Sequence, residues 1–143
     1  MHRMKNCFYK CADRLVGFVT SRQLRLFAKH LVGKSGLVGA EVGVAKGRHA
    51  RLLLKKLDIE TLYLIDSWSG PFNKYLMSIY RSFSWHKNVK LLPMRATTAI
   101  SHIPDGSLDF VYIDECHTYP LTREHIELYA QKVKDGGLSL IHI

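Results

Sequence analysis

The stretch Ala40-Glu41-Val42-Gly43-Val44-Ala45-Lys46-Gly47, followed later by Tyr63-Leu64-Ile65-Asp66, sets two acids and two glycines in a pattern with chemical consequences. An apolar run (Leu37, Val38, Ala40, Val42, Val44) ends in the glycines and gives way to a helix-like segment. Asp66 closes a second apolar run 19 residues after Gly47. Glycines at a strand-to-helix turn let backbone approach a ligand, and an acid at the tip of the next strand accepts ribose hydroxyls. Open α/β sheets hold adenosine-containing cofactors in this way. The spacing here is Glu-x-Gly-x-x-x-Gly rather than Gly-x-Gly-x-x-Gly. An acid two residues ahead of the first glycine suits a cofactor carrying positive charge better than one carrying a pyrophosphate.

A second cluster, Asp114-Glu115-Cys116-His117, ends the run Leu108-Asp109-Phe110-Val111-Tyr112-Ile113, and Gly136-Gly137-Leu138-Ser139-Leu140-Ile141-His142 follows it. In this order the motifs resemble those of class I S-adenosylmethionine-dependent methyltransferases, over about residues 36 to 142. The resemblance is closest to the small-molecule and sugar O-methyltransferases, whose fourth strand ends Ile-Asp-x-x-His and whose fifth reads Gly-Gly-x-x-x-x-His-Asp. It implies S-adenosyl-L-methionine as cofactor, with Glu41 near its sulfonium and amino group, Gly43 and Gly47 allowing close backbone approach, and Asp66 on the ribose hydroxyls. The helix from Arg48 would turn its amides toward the cofactor carboxylate. Asp114 and His117 would stand at the mouth of the methyl-donor pocket as the catalytic pair. Transfer to a hydroxyl is mainly a matter of positioning, but the acceptor must lose a proton, and a histidine titrating near neutrality suits that step.

Other readings of these residues stay open. Glu41 could pair with Lys46 or Arg48, Asp66 could cap a following turn, and His117 could be a loop histidine bonded to backbone. Trp68 or Met94 could offer apolar contact to the adenine ring or be plain core, since Met94-Arg95-Ala96-Thr97 supplies no acid after strand three. In the resembling enzymes the strand-four Asp often binds a divalent metal together with an acid after strand five. Ile143 stands there, so no metal is expected, Asp114 and His142 (with His117) being the residual set.

The elements that must position these groups follow from periodicity. Residues 12 to 32 space Leu15, Val16, Val19, Leu24, Phe27, Ala28 and Leu31 near a 3.6 period, as one amphipathic helix or a broken pair. Strands are expected up to Glu41 and Val42, over Thr61–Asp66, Val89–Met94, Leu108–Asp114 and Leu138–Ile143. Thr61–Asp66 lacks alternation, as a strand buried on both faces does. Helices are expected over Arg48–Leu57, Phe72–Trp85, Thr97–Ile103 and Pro120–Lys134, the last stopped by Asp135-Gly136-Gly137. Strand–helix alternation implies a Rossmann-like α/β fold, a parallel sheet with right-handed crossovers and helices on both faces. The expected order is 3-2-1-4-5, without the sixth and seventh strands of the family. The expected domains are a basic N-terminal helical segment, 1–35, and a methyltransferase-like α/β domain, 36–143, in one structural unit.

Composition narrows the classes. A chain of 143 residues, 47% hydrophobic and 23% charged, suits one globular core. No apolar run reaches the length of a membrane span, and Leu15–Thr20 is too short for a signal peptide. Three cysteines (Cys7, Cys11, Cys116) cannot all pair internally, which points to a reducing, cytoplasmic setting. The net charge of +9 is uneven: residues 1–56 carry 13 Lys or Arg against two acids, residues 57–143 eight against ten. This asymmetry allows a nucleic-acid methyltransferase or a non-catalytic relative binding an anionic partner. Neither an Asn-Pro-Pro-Tyr-type nor a paired-cysteine signature supports the nucleic-acid class. A small-molecule acceptor is the expected partner. Strand five, apolar and free of Lys and Pro, would be an open edge, so a homodimer is expected.

Overall fold

The computed structural model describes residues 30–115 and 119–141, with side chains from 119 to 121 left out of account. By compactness the chain divides into Met1–Gly33 and Lys34–Ile143. The helix expected over 12–32 lies almost wholly outside the described residues, as do His117, His142 and Ile143.

Five strands alternate with helices in the second unit: β1 (Leu37–Val42), α1 (Arg48–Lys56), β2 (Ile59–Ile65), α2 (Asn73–Phe83), β3 (Val89–Leu92), α3 (Ala96–Ala99), β4 (Leu108–Ile113), α4 (Tyr119–Ala130) and β5 (Val133–Ile141). All pairings are parallel and the order is β3-β2-β1-β4-β5, the Rossmann-like arrangement expected. On one face Ala40, Val42, Tyr63, Ile65, Val111 and Ile113 pack with Ala96, Ala99 and Tyr129 from α3 and α4. The Tyr129 hydroxyl donates to the Ala96 carbonyl at 3.0 Å, tying α4 to α3 within this layer. The opposite face receives α1, whose His49, Ala50 and Leu53 are buried while Leu52 is only half-buried. Helices thus cover both faces, which is why central strands of near-continuous Val, Leu and Ile are stable there.

The chain departs from expectation at its C-terminal third. The helix ends at Ala130, and β5 begins at Val133, before the glycines. Asp135-Gly136-Gly137 is therefore an irregularity inside the strand, not a helix stop. Leu108 pairs with Val133 and Phe110 with Leu138, so the residues between form a bulge in which Gly136 takes φ +76°. Asp109 anchors it: one carboxylate oxygen accepts from the Val38 amide at 2.8 Å, the other from Lys134 Nζ at 2.9 Å. Beta-branched Val133 beside an available partner strand outweighs continuation of the helical period.

Candidate functional site

The carboxyl ends of β1, β2 and β4 converge. The Gly43 amide donates to the Ile65 carbonyl and the Asp114 amide to the Val42 carbonyl, both at 2.8 Å, so the tips of the three strands are pinned together. The turn after β1 needs its glycines. Gly43 has φ +91°, and a Cβ there would run into the Asp114 carbonyl oxygen. Gly47 has φ +68°, and a Cβ would come within 2.7 Å of the Phe83 ring. Between them Ala45 also adopts a positive φ, +47°, an arrangement found where surrounding contacts impose it.

Asp66 supplies that constraint. One oxygen accepts the Ala45 amide and the other the Trp68 amide, each at 2.8 Å. Trp68, the second non-glycine residue with positive φ (+41°), returns its indole N–H to the Ala45 carbonyl at 2.9 Å. Asp66 thus locks the loops after β1 and β2 to each other. Burial raises its carboxyl above the usual range, against the amides of Ala45 and Trp68. A carboxylate offers about four acceptor positions, so the amides of Ala45 and Trp68, with that of Val44 beside them, leave capacity for a ribose hydroxyl. Trp68, 2% exposed, stands as part of the wall; Met94 is half-buried against the core.

Glu41 lies lower, beneath the turn, and is 1% exposed. The partner the structure gives it is His49 of the first turn of α1, with Nδ1 3.3 Å from Oε2. The two are close enough to pair, as the His125 and Glu115 side chains also do. Burial is the main cause that raises the Glu41 carboxyl above the usual range; His49 works against it, while Asp114 and Asp66 push further upward. Sequence reasoning passed over His49. Its signal was a titratable residue two positions after Gly47, in the turn that must face the sheet.

Asp114 is half-buried at the end of β4, and the adjacent Glu115 places Oε2 2.8 Å from His125 Nδ1 on α4. Glu115 therefore faces a helix on the sheet's flank. Among the described residues no group of three or more His, Cys, Asp or Glu is placed to hold a metal ion.

The arrangement can be tested against an adenosine-bearing cation. Glycines at positive φ, kept free of side chains by close packing against Asp114 and Phe83, fix the backbone of the turn, Asp66 has acceptor capacity beside it, and the buried Glu41, paired with His49, lies below. The first turn of α1 adds amides with no side-chain cap. These groups fit such a ligand.

Comparison with known proteins agrees. The methyltransferase domain family matches residues 40–142. No curated protein sequence matches the chain. Solved structures with the same fold include precorrin 8w decarboxylase from Methanobacterium thermoautotrophicum, 21% identical, TM-score 0.61, covering 83% of this chain and 61% of that one. A SAM-dependent methyltransferase from Thiobacillus denitrificans, in complex with S-adenosyl-L-homocysteine, is 18% identical with TM-score 0.58, covering 84% and 47%. The 1,6-didemethyltoxoflavin-N1-methyltransferase of Burkholderia thailandensis is 13% identical with TM-score 0.64, covering 95% and 57%. The chain thus spans less than two thirds of each of these neighbours. With the glycine turn, the acid-tipped second strand and the 3-2-1-4-5 sheet all lying within or beside the matched span, the chain belongs to the methyltransferase domain family.

Proposed function

We propose that this domain binds S-adenosyl-L-methionine and transfers its methyl group to a hydroxyl of a small molecule or sugar. The observation that carries the reading is the convergence of the Gly43–Gly47 turn, Asp66 and Asp114 at the carboxyl ends of three adjacent strands, above the buried Glu41. The bound cofactor supplies an electrophilic methyl group on sulfur. Asp66 holds the ribose hydroxyls, the first turn of α1 faces the carboxylate, and Glu41 supplies the negative field a sulfonium prefers. Asp114 at the end of β4 lies where the acceptor must approach, and His117, three residues on, is the base assigned to the hydroxyl proton. The hydroxyl acceptor and the role of His117 rest on the Ile-Asp-x-x-His pattern at the end of β4. A cytoplasmic setting rests on the three cysteines; among the described residues no helix is long and apolar enough to cross a membrane.

Calorimetric titration with S-adenosylmethionine, S-adenosylhomocysteine and NAD tests the cofactor, and tighter binding of NAD would overturn it. For the chemistry, transfer to a hydroxyl acceptor should rise with pH through the titration of His117. His117→Ala should lower turnover roughly 10²- to 10⁴-fold with cofactor affinity nearly intact. Turnover unchanged in that variant would remove His117 from the reaction.

A further inference from the structure

Beneath the glycine turn Glu41, His49 and Tyr112 form a closed cluster that the methyl-transfer reading leaves unexplained. β1 and β4 set Glu41 opposite Tyr112, the His49 ring lies 4.0 Å from the Tyr112 ring, and His49 Nδ1 lies 3.3 Å from Glu41 Oε2. The three are 1%, 7% and 3% exposed, in the order Glu41, His49, Tyr112. A buried carboxylate and imidazole this close behave as one titrating unit: with one proton between them the pair is neutral overall, and without it the pair carries −1. The other ionisable groups that act on it are Asp114 at the end of β4 and Asp66 beyond β2, both of which oppose the negative state. Tyr112 stays protonated, its hydroxyl raised chiefly by burial and then by Asp114 and Glu41.

We propose that His49, acting with Glu41, is a specificity-determining residue: the pair gives up one proton when the cationic sulfonium form of the cofactor binds and takes it back when the neutral thioether remains. The inference rests on the cofactor reading above. A positive sulfur nearby stabilises the −1 state of the pair, and in a water-poor setting that attraction is stronger than at the surface. Methyl transfer breaks the carbon–sulfur bond, leaves the electron pair on sulfur and removes the positive charge. The pair then regains a proton from solvent, the attraction lapses, and the product is held less tightly than the substrate. His49 is a positioning residue here, since it acts through Glu41.

The test is calorimetric titration of the wild-type protein from about pH 6 to 9, in two buffers of different ionisation enthalpy. The ligands are S-adenosylmethionine, S-adenosylhomocysteine and sinefungin, in which an amine-bearing carbon replaces the sulfonium. Each ligand is titrated alone and its own proton release subtracted, so the remaining differences report on the protein's response to the charge at that centre. The expected result is release of up to about one proton more with the two cationic ligands than with the thioether. The affinity ratio of S-adenosylmethionine to S-adenosylhomocysteine should then climb by up to about tenfold per pH unit across the window. His49→Asn and Glu41→Gln should flatten that slope. Equal proton release by all three ligands on the wild type would overturn the inference and leave the cofactor site standing. A wild-type slope retained by His49→Asn would overturn it as well. Failure of every ligand to bind would overturn the cofactor reading itself, and the inference with it. Should either variant fail to fold, the wild-type comparison decides alone.

Discussion

Asp66 does two things at once, and they can be separated. Its oxygens hold the amides of Ala45 and Trp68, both at positive φ, and its proposed second task is to accept the ribose hydroxyls of the cofactor. Asp66→Ala should weaken S-adenosylhomocysteine binding by charge-assisted bonds worth roughly 1.5–3 kcal/mol, about 10- to 150-fold. It should also lower the melting temperature, because the strained loop loses its anchor. Wild-type affinity in that variant would refute the ribose assignment; an unchanged melting temperature would refute the anchor. Glu41 should behave in the opposite sense. Its carboxyl is raised by burial, so the folded state binds protons more tightly than the unfolded chain, and stability falls as pH rises from the ordinary carboxylate range through the raised value. Glu41→Gln removes that cost. Thermal melts near neutral pH should find it at least as stable as wild type, yet weaker in cofactor affinity. A variant both less stable and equally tight would contradict the account, which expects a function-for-stability exchange of the kind seen at binding sites.

At the scale of elements, the joints matter more than the elements themselves. Gly43 joins β1 to the turn at φ +91° with the Asp114 carbonyl against it, so Gly43→Ala meets both backbone strain and a clash. Gly43→Ala should cost about 1–3 kcal/mol in denaturant melts; a loss under half of that would mean that β1 and β4 separate freely at their tips. The joint between β4 and α4 is the Glu115–His125 pair. The hydrogen bond and charge of Glu115 raise the His125 imidazole above the ordinary histidine range, against burial, which lowers it. A raised folded-state value contributes stability in full below the unfolded value and loses it as pH climbs through the folded one. The stability advantage of wild type over His125→Gln should therefore be largest at about pH 5.5 and shrink by about pH 8.5. An advantage that grew with pH would show the imidazole to be held neutral.

For the molecule as a whole, the sheet leaves β3 and β5 as its edges among the described residues. Leu138, Leu140 and Ile141 are half-buried and Ser139 exposed, and residues 138–141 include neither Lys nor Pro. Edges of this composition template pairing with another strand. We propose that this 143-residue domain associates through that edge: light scattering at micromolar concentration should find a dimer that Leu140→Lys converts to monomer. A monodisperse wild-type monomer with rapidly exchanging β5 amides would rule out this association.

The sequence by itself determined the class of fold and where its glycine turn stands. Short apolar runs separated by helical periods admit little except a parallel sheet covered on both faces, and Glu41, Gly43, Gly47 and Asp66 are legible as candidates because each signal is local to one strand end. The extent of β5 was not local. Val133 joins the sheet because Leu108 lies within reach, a fact of register that no window around Asp135-Gly136-Gly137 contains. The same holds for the contacts that give the site its electrostatics. Glu41 meeting His49, Asp66 accepting Ala45, and Glu115 meeting His125 all depend on how closely separate segments approach once packed. Residue type showed that acids stood at the ends of β1, β2 and β4; only the tertiary structure decided what each faces, and hence that burial raises Glu41 and Asp66.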